Sequence, residues 1–326
     1  GTYVGRDPEL TAVMSGSHLD TVPAGGNFDG ALGIVAALEC VRSWQEEGYR
    51  PKRTVRVIAT IEEECTAFGM ACFGVRVRGG EFKKQKPESI VHLTGGSLAE
   101  CLQAAGLPHS ALQDAAVGFQ DLAAFVELHI EQGAVLESEQ KQIGIVDGIV
   151  GIVNYELTIQ GSQNHAGTTS MPLRHDPVVA AAEFITESTR QMMAQAPSAT
   201  LTYGAIQVFP GMQNVIADRV NLLIDLRDGS NEELLQDVVL LKRVLESIER
   251  KGFQTQLRQN DWLESVQMDP NVIRVIERHC EEKHLAYKHM NSGAGHDSMV
   301  FGKHFPTAMI FVPSIGGISH NPAEAT

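Results

Sequence analysis

Residues 54–61 read TVRVIATI, a β-branched apolar run that ends at three consecutive glutamates, Glu62, Glu63 and Glu64. A run of this length and make-up predicts a buried strand. Open α/β sheets gather ligands at the carboxyl ends of their strands, and three adjacent carboxylates there repel one another unless cations balance them. The pattern recurs. Residues 11–15 (TAVMS) predict a strand that leads into His18 and Asp20, and residues 123–129 (AAFVELH) predict one that ends on His129, ahead of Glu131, Gln132 and Gly133. Residues 307–312 (TAMIFV) lead through a glycine loop to His320, and Asp29 lies in GNFDG just before a helical pattern at residues 33–44. Strands alternating with helices predict an α/β fold with a doubly wound, mostly parallel sheet.

The middle of the chain has another rhythm. Residues 154–159, 201–208, 220–226 and 252–257 predict strands, and residues 176–194 and 231–251 predict helices. This β-α-β-β-α-β order predicts a ferredoxin-like α+β domain inserted into the larger one. The expected divisions are 1–150, 151–268 for the insert, and 269–326, which re-enters through a helix at residues 270–282.

Composition excludes several functions. Net charge is −14, from 40 acidic and 26 basic residues, which argues against nucleic acid or an anionic membrane as partner. The basic stretch Arg76, Arg78, Lys83, Lys84 and Lys86 is expected to be a solvated helix end and loop. No apolar run approaches the roughly 18 residues of a membrane span, and the start lacks a signal-peptide core. Five scattered cysteines without a CxxC pair predict reduced, mostly buried thiols in a cytoplasmic protein, with Cys65 and Cys72 facing the core from one helix.

Three histidines and several carboxylates are therefore expected along one sheet edge. Imidazole with carboxylate suits zinc, manganese or cobalt, and the lack of thiolates argues against a structural zinc site. Spacing alone leaves a plainer reading open, because an acidic run is often a solvated face and a single histidine is usually a satisfied one.

The segments SGSHLDTVPAGGNFDG, TIEEECTAFG, ELHIEQG, NHAGTTSMPLRHD, NVIADRVNLLIDLR, SGAGHD and PSIGGISHNPAE resemble the M20-type binuclear metallopeptidases. Within that family they are similar to the amidase branch of allantoate amidohydrolase, N-carbamoyl-L-amino-acid hydrolase and β-ureidopropionase. The resemblance runs over nearly the whole chain in the same order, and relatives extend beyond both ends of it. It implies two divalent metals, zinc or manganese, with cobalt or nickel also accepted. His18, Asp29 and His129 would hold one, and Asp29 would bridge to a second completed by Glu64 and His320. Asp20 would orient the His18 imidazole, and Glu63 would be the general base. His165 would steady an oxyanion, Asn214 and Arg227 would grip a substrate carboxylate, and Gln132 and Gly293 would line the pocket. Arg227 pairing with Asp225 or Asp228, and Asn214 capping a turn, are the plainer alternatives. His296 and Asp297 suggest part of a triad, but no GxSxG elbow accompanies them, which leaves a supporting role. Cys65 stands where the family usually has Gly, and Ala67 where Arg is frequent. The resemblance also implies that the insert is a lid and a homodimer contact.

The expected activity is hydrolysis of a non-peptide C–N bond in a small anionic ureido compound, with allantoate favoured and N-carbamoyl-L-amino acids as the alternative. An aminoacylase or dipeptidase of the same superfamily fits the HIEQG and NHAGTT segments less well. A catalytically dead binding protein should have lost a ligand or the base, and every such position is filled.

Overall fold

Hydrophobic periodicity accounts for most of the strands and for the face each buries. The computed structural model describes residues 1–326 and carries fourteen strands. The first five are β1 (Thr2–Tyr3), β2 (Ala12–His18), β3 (Val55–Thr60), β4 (Leu122–Ile130) and β5 (Ile143–Ile149). Then come β6 (Gly151–Gln160), β7 (Asn164–His165), β8 (Thr200–Phe209), β9 (Val215–Ile216), β10 (Arg219–Asp228) and β11 (Gln254–Leu263). The last are β12 (Val266–Gln267), β13 (Tyr287–Ser292) and β14 (Thr307–Val312). The chain divides into two compact units, Gly1–Ile149 with Val266–Thr326, and Val150–Ser265.

In the first unit one sheet runs β1-β3-β2-β4-β14-β5-β12, and β13 also pairs with β5. β3, β2, β4 and β14 are mutually parallel. Their carboxyl ends therefore lie along one edge, which His18, Glu62, His129 and the loop to His320 share. Met14, Phe125, Phe301 and Phe311 fill the interior, each contributing about 1.5–3 kcal/mol by leaving water. The sheet is mostly parallel, as expected, but β5 enters antiparallel to β14.

In the second unit the order is β11-β6-β10-β8, antiparallel throughout. β10 shows why: Val220, Leu222, Ile224 and Leu226 alternate inward, while Asn221, Asp225 and Arg227 take the other face. Helices Pro177–Gln195 and Asn231–Glu249 cover the buried face with Phe184, Leu234, Leu241 and Val244. Both begin on side-chain caps, with Asp176 accepting from Val178 N–H and Ser230 from Glu233 N–H. This is the ferredoxin-like order expected from sequence.

Several expectations need correction. β5 and β13 are strands that periodicity misses. Gly144 and Gly148 interrupt β5, and a Cβ on Gly144 would lie 2.8 Å from Met290 Sδ, so a side chain there would have to displace Met290. β13 reads YKHMNS and has no apolar run. β11 extends to Leu263, well past residue 257, because its ladder with β6 continues across a register shift. Val266 and Gln267 pair with Ile149 and Gly148, which puts these two residues of the expected insert in the first unit's sheet. Cys65 and Cys72 do not share a helix, since the helix begins at Phe73, and Cys40, Cys65 and Cys101 are exposed while only Cys72 and Cys280 are buried. Arg76 is not solvated either; it is buried and forks onto Glu81 at 2.7 and 3.0 Å. No helix is long and apolar enough to cross a membrane.

β13 also carries a charge-linked staple. His289 offers Nδ1 to Asp147 of β5 at 2.7 Å and Nε2 to Glu277 of helix Pro270–Glu282 at 3.0 Å. The bond to Asp147 chiefly raises its pKa above the ordinary value. A raised imidazole pKa adds stability below the unfolded value of about 6.5, and that stability is lost as pH climbs through the folded value. His289→Gln should therefore lower the melting temperature more at pH 6 than at pH 9. Equal losses at both pH values would rule out the linkage.

Candidate metal centre

The edge is built from strand ends and turns. β2 delivers His18 and β4 delivers His129, both buried. Asp29 arrives from the turn before helix Ala31–Glu46, whose N-terminal neighbour Gly30 has φ +63°. A Cβ on Gly30 would lie 2.5 Å from the His18 ring, so glycine is needed there for close approach as well as for its backbone. Glu62, Cys65, Gln132 and His320, on the loops that follow the strands β3, β4 and β14, also have positive φ, at 59°, 49°, 57° and 55°. Such left-handed non-glycine residues cost energy and concentrate at functional sites.

The two buried histidines are oriented alike. His18 Nδ1 donates to the Asp20 carbonyl at 2.8 Å, and His129 Nδ1 to the Ile130 carbonyl at 2.9 Å. With Nδ1 tied to a carbonyl in each ring, Nε2 is the nitrogen left to hold either a second proton or, once that is lost, a metal. The two Nε2 atoms face Asp29 Oδ1 at 3.3 and 3.1 Å and each other at 3.3 Å. Gly30 N–H donates to His129 Nε2 at 3.2 Å, as it would to an acceptor nitrogen. On the other side of the same carboxylate, His320 Nε2 lies 3.4 Å from Asp29 Oδ2 and 3.5 Å from Glu64 Oε1.

These atoms fit a divalent metal. Asp29 Oδ1 and Glu64 Oε1 are buried without a hydrogen-bond partner, which is costly for carboxylate oxygens. Ligands about 2.0–2.1 Å from a tetrahedral ion lie roughly 3.3–3.4 Å apart, close to the separations seen. His18, Asp29 and His129 form one group with converging ligand atoms; Asp29, Glu64 and His320 form a second, and His18, Glu63 and Glu64 a third.

Charge is concentrated here. Burial pulls the His18 pKa down, but the adjacent Asp29 carboxylate and the charge of Glu63 carry it up to about 11. Burial would raise Asp29, and its histidine neighbours His129 and His18 instead hold it far below the carboxylate range. Glu63 is pushed well above its ordinary value by burial, against the pull of His18 and with the push of Asp297 and Glu64. Burial and Asp29 also raise Glu64, while the bond to Asp29 raises His320. The site thus draws positive charge, whether as protons or as a metal.

Asp20 touches His18 and braces the acidic loop as well. Its carbonyl holds His18, while its carboxylate accepts from Glu63 N–H at 3.3 Å and Glu64 N–H at 3.2 Å, bracing the acidic loop. Gln132 Nε2 donates to Asp29 Oδ2 at 2.8 Å, and Gly293 is exposed on the loop after β13. Glu127 and Glu324 escaped the sequence reading. Glu127 is fully buried and accepts from Ser17 Oγ and Ser298 Oγ, both at 2.6 Å; a glutamate inside an apolar run was the available signal. Glu324 accepts from Phe28 and Asp29 N–H at 2.9 and 3.0 Å and fixes the Asp29 turn. His296 and Asp297 are buried, and Thr60 Oγ1 donates to Asp297. His296 Nε2 meets Ser292 Oγ at 3.0 Å, but that hydroxyl donates to the Ala294 carbonyl. The ring therefore donates to the serine, the reverse of nucleophile activation.

His165, Asn214 and Arg227 belong to the second unit. β7 pairs with β9, and Ala166 N–H donates to the Asn214 carbonyl at 3.1 Å, so one small ribbon carries both His165 and Asn214. Gly167 and Thr168 N–H donate to His165 Nδ1 at 2.9 and 3.2 Å, which leaves the ring proton on Nε2. Arg227 forks onto Asp225 at 2.7 and 3.1 Å, the plainer pairing foreseen for it.

Residues 14–326 match the model of peptidase family M20/M25/M40. The chain is 37% identical over 330 residues to an N-carbamoyl-L-amino-acid amidohydrolase of Paenarthrobacter aurescens, covering 100% of this chain and 79% of that protein. It is 37% identical over 332 residues to an allantoate amidohydrolase of Escherichia coli, again covering 100% and 79%. Among solved structures, an amidase of the hydantoinase/carbamoylase family from Burkholderia vietnamiensis aligns with a TM-score of 0.89 at 33% identity, covering 100% of this chain and 78% of that one.

Proposed function

We propose, since the chain belongs to peptidase family M20/M25/M40, that it hydrolyses a non-peptide C–N bond in a small carboxylate-bearing ureido compound, with allantoate as substrate. The observation that carries this reading is the convergence of His18 Nε2, His129 Nε2 and His320 Nε2 on the two oxygens of Asp29. That arrangement suits two divalent metals sharing Asp29, the first with His18 and His129, the second with Glu64 and His320. Bound there, they supply Lewis acidity that polarises the scissile carbonyl and makes water a competent nucleophile near neutral pH.

The rest is the work of the chain's own groups. Glu63 accepts a proton from the attacking water and returns one to the leaving nitrogen. His165, with its ring proton on Nε2, donates to the oxygen on which charge develops. Asn214 and Arg227 anchor the substrate carboxylate, with Asp225 holding the guanidinium in a defined plane beforehand. Gln132 and Gly293 complete the pocket. The second unit is assigned the parts of lid and homodimer contact, for which the sheet-edge strands β8 and β11 offer unpaired backbone.

N-carbamoyl-L-amino acids are the second reading, supported by 37% identity to a relative of that name, the same as to the allantoate relative. The segments SGAGHD and PSIGGISHNPAE, with Asn321 where carbamoylases often carry Ser, favour allantoate. An allantoate pocket must pair a second ureido group, and its unpaired polar groups would reject apolar analogues. The manganese-loaded enzyme should show at least tenfold higher kcat/KM on allantoate than on N-carbamoyl-L-methionine, about 1.4 kcal/mol of transition-state preference. The opposite preference overturns the choice of substrate and leaves the metal site standing.

A further inference from the structure

We infer that Arg174 is a positioning residue that holds His165 in the tautomer and pose from which its ring donates a hydrogen bond; this rests on the role proposed above for His165. Residues 165–169 form a tight turn, in which Thr169 N–H donates to the His165 carbonyl at 3.2 Å. Two further turn amides, Gly167 and Thr168 N–H, donate to the ring at Nδ1 at 2.9 and 3.2 Å. One nitrogen accepts two N–H groups only through its lone pair, so the ring proton stays on Nε2.

Two carbonyls of the same turn go to Arg174. Its Nε donates to Thr169 O at 3.0 Å and its Nη2 to Ala166 O. A planar guanidinium spans two carbonyls at fixed spacing, which a lysine ammonium does not reproduce. Ala166 is tied from its other side to the Asn214 carbonyl at 3.1 Å. The turn thus presents its amides to the imidazole because Arg174 and β9 hold its remaining backbone groups. His165 and Asn214 are exposed and Arg174 is half-buried, as suits two presenting side chains on a brace. Loss of the brace frees the turn, and the ring then samples both tautomers. The deficit should fall on the step where charge develops on the substrate oxygen, hence on kcat more than on KM.

A double-mutant cycle on the metal-loaded full chain tests this. Arg174→Gln should lower kcat by roughly 10- to 100-fold, a fraction of what a missing oxyanion donor costs, with KM changed less than about threefold and Arg174→Lys partly restoring kcat. In a His165→Ala background, adding Arg174→Gln should change kcat by less than about twofold, because the group it positions is gone. Equal losses in both backgrounds would mean a general structural role and overturn the inference, as would wild-type kcat in Arg174→Gln. Wild-type kcat in His165→Ala would instead refute the role of His165 and take this inference with it. If Arg174→Gln fails to fold, the long-range ¹H–¹⁵N spectrum of His165 in the unaltered protein decides. A proton on Nε2 supports the inference, and one on Nδ1 overturns it.

Discussion

Glu63→Gln is expected to keep its full metal content and to lose kcat by about 10²–10⁴-fold or more, because in the proposed mechanism one carboxylate handles the proton in both halves of the reaction. The swap is nearly isosteric, and the Asp20 carboxylate would still accept from the backbone N–H groups of residues 63 and 64. The loop should therefore keep its shape while residue 63 loses the capacity to bind and release a proton. A rival role is available. Glu63 Oε2 lies 4.0 Å from His18 Nε2, and Glu63 forms a converging group with His18 and Glu64. If Glu63 were a ligand, Glu63→Gln would lose metal along with activity. Elemental analysis of the dialysed variant beside its turnover number separates the two, and a fully active, metal-replete variant would dismiss both.

Asp29→Ala should have the other large effect, removal of both metals at once. Its oxygens face in two directions, Oδ1 to His18 and His129, and Oδ2 to His320 and the amide of Gln132. No other carboxylate is shared by the two groups that would hold metal. His320→Ala should cost only the second metal, whereas Asp29→Ala should leave each group one ligand short. We expect metal content to fall from about two per chain to well under half of one after dialysis, and activity to fall by at least about 10³-fold, as when a Lewis acid worth several kcal/mol is lost. Retention of two metals per chain would break the bridging assignment. Retention of one would show that the groups bind independently and that Asp29 serves a single metal.

Much of this was written in local pattern. β-branched runs with period two, helical stripes and caps such as Ser230 and Asp176 are set by residues a few positions apart, so β2, β3, β4, β10 and β14 could be located from the chain alone. Which residue types follow those strands is equally local, so His18, Asp29, the run Glu62–Glu64, His129 and His320 could be listed as candidates beforehand, while the parts given to Glu63 and Glu64 came from the family resemblance. Strands that live on partners left no such trace. β13 has no apolar run of its own and exists because Ile143–Ile149 offers it a parallel ladder. The glycines of β5 make sense only beside their partners, Gly144 against Met290 and Phe311 and Gly148 against Gln267. Cys65 and Cys72 matched helical spacing, but the turns that the Glu62 carboxylate holds through Ala67 and Phe68 N–H occupy the intervening chain.

The sequence by itself determined the inventory of donor atoms and the edge at which they would emerge, because strand order along the chain and the right-handed crossover rule leave few alternatives. Only the tertiary structure decided what each atom does. Asp20 could have served His18 through its carboxylate and in fact serves through its carbonyl, while the carboxylate holds the glutamate loop. The Nε2 atoms of His18 and His129 are aimed at Asp29 because backbone carbonyls two residues and one residue away take their Nδ1 protons. Residues as distant as Ser17, Glu127 and Ser298 are joined in one buried network. A hydrogen bond depends on direction and on distances of a few tenths of an ångström, and neither quantity is present in a string of residue names.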